Sequence, residues 1–102
     1  MILTQIDTYE VMYASNVTGP RIFLKGGGKY LGQLCFMPNE SVLPADCMSN
    51  GTVTLFYHLD DYKNAIDLLR NESPMYLLYR GSGVENGIKT SLEEPVGEAE
   101  QK

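Results

Sequence analysis

The chain has 102 residues, 43% of them hydrophobic and 21% charged, with 13 acidic side chains against 8 basic ones and a formal charge of −5. That length suits one core, because two half-size cores would each lie near the limit where burial offsets chain entropy. The hydrophobic content excludes a disordered chain, no apolar run nears the roughly 18 residues of a membrane span, and the acidic balance argues against general phosphate binding.

Met1–Asp7 has neither the basic nor the apolar stretch of a secretory signal and alternates like a strand. Residues 2–13 read as one long strand or two joined by a bend, and Asn16, Gly19 and Pro20 then break it. Arg21–Lys25 and Lys29–Met37 flank Gly26-Gly27-Gly28, and glycines between two β-rich runs predict a hairpin. Pro38–Gly51 is a long connection, with room for a short edge segment near Ser41–Leu43. Asn50-Gly51 signals a turn into the β-branched and aromatic run Thr52–His58.

The period then changes. Leu59, Tyr62, Ala65, Ile66 and Leu69 recur at helical spacing and predict a helix over about 59–71. Asp60 or Asp61 is placed to cap its first turn, Asn71 to take a left-handed capping conformation, and Pro74 to prevent continuation. Pro74–Arg80 returns to strand, and Gly87–Leu92 is a weaker last one. The expected fold is α+β: five to six mostly antiparallel strands in a curled or barrel-like sheet, with one helix before the penultimate strand. Residues 1–92 form the expected domain and 93–102 an acidic tail. Glu93, Glu94, Glu98 and Glu100 against Lys102 leave −3 on the tail and −2 on the body.

At least three of the strands are apolar on both parities, whereas a sheet wetted on one side should alternate cleanly. One three-turn helix cannot cover that surplus. Barrel closure or a second copy of the chain must do so, and a homodimer or higher oligomer is the expectation.

The chemistry-bearing residues are few. His58 is the one histidine, beside Asp60 and Asp61, and could serve as a base only with Cys35 or Cys47 as nucleophile; its plainer reading is a junction residue. No catalytic residue is assigned. The two cysteines have eleven residues between them and match no metal spacing, so neither metal nor cofactor is expected, and free thiols in a cytoplasmic protein are. Four tripeptides, at Asn16, Asn39, Asn50 and Asn71, fit the glycosylation acceptor, but the same residues serve turns.

Gly26-Gly27-Gly28 is followed by a strand rather than a helix, which does not suit a phosphate loop. Arg21, Lys25 and Lys29 fall in a stretch with no acidic residue between Glu10 and Glu40, and could contact an anion or guard an edge strand. The leading expectation is therefore a non-catalytic, homo-oligomeric binding or protein-interaction module. A second reading places a small ligand, or a minor enzymatic site, in a tyrosine-lined pocket of Tyr57, Tyr62 and Tyr79 with His58 and Asp61. The weakest is a nucleic-acid-contacting barrel that adds Phe23 and Tyr30 to the three basic residues.

Overall fold

A computed structural model of the chain, describing residues 1–14 and 19–90, shows an α+β fold of eight strands and one α-helix. The sequon at Asn16, most of the turn at 15–20 and the tail at 93–102 lie outside the described residues. The strands are β1 (Ile2–Ile6), β2 (Thr8–Met12), β3 (Arg21–Gly26), β4 (Lys29–Met37), β5 (Cys47–Ser49), β6 (Thr52–His58), β7 (Met75–Tyr79) and β8 (Gly87–Lys89). They form two sheets that do not close into a barrel, one ordered β1-β7-β8 and the other β2-β3-β4-β6-β5.

The count exceeds five or six because the chain bends at Asp7, which splits the first strand, and because the crossover adds β5. β1 pairs with β7 in one sheet, and β2 pairs with β3 in the other. Asp7 holds the corner from both ends: its N–H donates to the Lys25 carbonyl at 2.7 Å, and its Oδ2 accepts the Gly27 N–H at 2.7 Å. Gly27 and Gly28 both have positive φ, which suits the two-residue hairpin joining β3 to β4. Asn50-Gly51, also both positive, makes the second tight turn, into β6.

All pairings are antiparallel except β4 with β6, which run parallel. The connection from residue 38 to 51 makes that crossover, and its edge strand is β5 at 47–49 rather than a segment near 41–43. Close backbone approach is built into the parallel pair. Any Cβ at Gly32 would collide with the Val53 carbonyl oxygen.

A register shift at Leu24/Lys25 alters the expected parity of β4. Tyr30 opposes Lys25, and its ring meets Phe23 at 6.1 Å between centroids, whereas Leu31 packs against the core. The core is otherwise the set that alternation selects: Ile22, Leu24, Leu34, Phe36, Val53 and Leu55 of the larger sheet against Ile6, Met75, Leu77 and Tyr79 of the smaller one.

The helical segment is a 3-10 turn, Leu59–Asp61, followed by α1 (Tyr62–Asn71). Ala65 is buried in the core, and Tyr62, Ile66 and Leu69 pack against it. Neither aspartate caps the helix through its own side chain. The Asp60 N–H instead donates to Asn39 Oδ1 at 2.8 Å, while the Asn39 amide donates to Asp60 Oδ1 at 3.0 Å. The missing cap comes from the crossover, 21 residues back in the chain. Asn71 does not adopt positive φ; Glu72 turns extended, and its N–H donates to the Leu68 carbonyl. Among the described residues no helix is long and apolar enough to cross a membrane.

Candidate functional site

Strand alternation turns half of the larger sheet's side chains away from the core. The register sets them in rows. Met12, Arg21, Cys35 and Phe56 form one, from β2 through β6, and Glu10, Phe23, Gln33, Thr54 and Cys47 form the next, out to β5. Met37 and His58 pair beyond the first row, and Lys25 with Tyr30 beyond the second. Arg21, Phe23, Gln33, Cys35, Met37 and Phe56 are half-buried. None of these six belongs to the core cluster, and α1 packs on the opposite face.

Polar groups on this outer face are incompletely satisfied. Arg21 Nε and Gln33 Oε1 are buried with no hydrogen-bond partner. The Arg21 guanidinium lies 5.4 Å from the Phe23 ring centroid, within cation–π range. Next to them, Pro20, Cys35, Met37 and Phe56 help line a cleft of about 280 Å3. Burial pushes the Cys35 thiol up from its ordinary value, Arg21 opposing and Cys47 adding to the rise. A nucleophilic cysteine needs the opposite shift. Burial likewise raises the Tyr30 hydroxyl, helped by Cys35 and opposed by Arg21.

Of the three basic residues, Arg21 and Lys25 share this face. Lys25 is engaged with Glu10 at 3.6 Å, an exposed pair of small energetic value. Lys29 opposes Gly26 at the hairpin end and is exposed. The three do not form one concentrated anion site. Of the three, Arg21 alone has a buried donor without a partner.

The tyrosine-centred candidates are distributed differently. Tyr57 stacks on Phe36 at 5.6 Å with planes 22° apart, Tyr62 meets the same ring edge-on at 5.1 Å, and Tyr79 is part of the core. Burial pushes the Tyr57 hydroxyl up to about 12, Asp46 and Asp61 adding to the rise while a hydrogen bond with the Ile88 backbone opposes it. These rings fill the space between the sheets and α1. His58 points to the crossover, where its Nε2 lies 2.9 Å from the Ser41 carbonyl and must donate to it. Asp61 is exposed at the start of α1.

Sequence reading missed Asp46 and Asn86. Asp46 Oδ1 accepts the Phe56 N–H at 2.9 Å, supplying β6 with a partner where β5 does not extend, and Oδ2 accepts from the Asn86 amide at 3.0 Å. Asn86 also donates to the Gly81 carbonyl and accepts the Arg80 N–H, so one aspartate ties the crossover to the loop between β7 and β8. Only the turn-forming character of an Asn near glycines was visible. Compared with known proteins, the chain matches no family model, no curated protein and no solved structure.

Proposed function

We propose that this chain is a non-catalytic interaction module that works as a homo-oligomer, two copies joining through β2. The observation carrying this reading is the state of that edge. β2 ends the five-stranded sheet, and Val11, Met12 and Tyr13 are 40%, 44% and 74% exposed. Edge strands of monomers are commonly guarded by lysine, proline or a bulge. Thr8–Met12 contains neither of those residues, and the register shift lies between β3 and β4 instead.

Antiparallel pairing of β2 with its own copy is self-complementary, as a two-fold interface requires. Centred pairing sets Glu10, the strand's one charge, opposite its own copy, and the Lys25 beside each Glu10 offsets that repulsion. Continuing the sheet across the two copies leaves its outer face open for a further partner.

Light scattering across micromolar concentrations tests the reading. The wild-type chain is expected to run as a dimer and Val11→Lys as a folded monomer. A wild-type chain that stays monomeric overturns the proposal, as does a dimer that Val11→Lys leaves intact.

A further inference from the structure

The cleft on the outer face carries a second, independent inference. Arg21 opposes Cys35 on β4, and Gln33, two residues back along that strand, opposes Phe23, so Arg21 and Gln33 are diagonal neighbours. One has a buried N–H with no acceptor, the other a buried carbonyl oxygen with no donor. A buried polar atom without a partner is costly, so turning both side chains toward a ligand that supplies the missing partners is favoured.

The charge narrows the choice of ligand. The one ion pair among the described residues uses Lys25, leaving the Arg21 guanidinium without a carboxylate. Arginine's planar fork matches carboxylate geometry, and its charge repels a free ammonium. The lining adds an apolar requirement through Pro20, Met37 and Phe56. At about 280 Å3 the cleft lies just below the roughly 300–1,000 Å3 of most small-molecule sites, which suits one residue-sized group.

We propose that this cleft binds a carboxylate flanked by an amide N–H and an apolar side chain, the chemistry of an N-acylated amino acid. With both side chains turned toward the cleft, the carboxylate accepts from Arg21, the amide N–H donates to Gln33 Oε1, and the side chain lies against Met37 and Phe56. A free N-acyl amino acid and the last residue of a peptide both present this group.

Titration of the 15N-labelled full chain, reading the Arg21 side-chain Nε–H signal, tests the assignment. N-acetyl-leucine is expected to shift that signal saturably, and N-acetyl-leucinamide, which lacks the charge, to bind at least about tenfold more weakly. A short peptide ending in leucine with a free carboxylate separates the sources. Tighter binding than N-acetyl-leucine assigns the site to a chain terminus, and weaker binding to the small molecule. Arg21→Gln and Gln33→Leu, each checked for an unchanged amide spectrum elsewhere, are expected to lose about tenfold or more.

The assignment fails if N-acetyl-leucine leaves the signal unmoved. Sodium acetate reproducing the full response identifies an adventitious ion only, and a single-stranded oligonucleotide displacing N-acetyl-leucine identifies a nucleic-acid platform; both overturn it. Repeating the titration on Val11→Lys separates this proposal from the dimer, because the cleft residues do not belong to β2.

Discussion

The two faces of the five-stranded sheet are made from alternate residues of the same strands, yet they are completed differently. The inner face is closed: Ile22, Leu24 and Leu34 have no exposed surface, and the second sheet and α1 complete their surroundings. The outer face has comparable apolar material in Phe23, Cys35, Met37 and Phe56, but these side chains are half-buried and surround two polar atoms without partners. Burial on the inner face contributes stability that folding alone completes. The outer face retains unsatisfied groups, and such groups are what a partner can complete.

Two phenylalanines put that comparison under the largest strain. Phe36→Ala on the inner face removes a ring that Tyr57 and Tyr62 both pack on, and is expected to cost ~3–5 kcal/mol in urea unfolding. Phe56→Ala on the outer face is expected to cost only about 1 kcal/mol, near the centre of ordinary substitutions. Equal losses would mean that the outer face is as much a part of the folded core as the inner one.

Asp46→Ala sharpens the comparison at the sheet's margin. The substitution strips the Phe56 N–H and the Asn86 amide of an acceptor, and a loss of ~1–3 kcal/mol is expected in the same unfolding experiment. A loss well below that range would show that water serves both groups as well as the carboxylate does.

The effect confined to alkaline pH concerns Tyr57, on the inner side. Its hydroxyl, ordinarily at 10.0, is pushed up to about 12 chiefly by burial. The unfolded chain therefore releases this proton first, and stability is expected to fall as pH rises from 10 to about 12. Tyr57→Phe should remove that part of the decline, and the highest phenolate step in an ultraviolet titration should vanish with it. An unchanged profile would mean that Tyr57 ionises like an exposed tyrosine.

Local signals were read correctly for the turns and the helical period, but not for the caps expected of Asp60 or Asp61 and of Asn71. The glycine hairpin, the Asn50-Gly51 turn and the helical segment of 59–71 depend on backbone freedom and on a period of three to four residues. A bend within residues 2–13 was one of the two readings, but its place at Asp7 and the sending of β1 and β2 to different sheets, the parallel pairing of β4 with β6 and the cap that Asn39 gives Asp60 were not legible. Each depends on partners about twenty residues away, as the separations of 20 for Gly27 with Asp7 and 21 for Asp60 with Asn39 illustrate. The site followed the same division. Arg21 and Lys25 could be placed on one face from their parity alone, whereas Gln33, Met37 and Phe56 join them only through inter-strand register.

By itself, the sequence determined an α+β fold with a single helix, carrying more apolar strand surface than that helix can cover. It also determined a near-neutral charge for residues 1–92, −2. Only the tertiary structure decided how the surplus is divided. A bend at Asp7 sends β1 to a second sheet that covers the inner face, and leaves β2 as an edge. The physical reason is that alternation assigns side chains to two faces without saying which face another element will reach. That choice belongs to long-range pairing, which here covers one face of the sheet and leaves the other with an unpaired donor and acceptor.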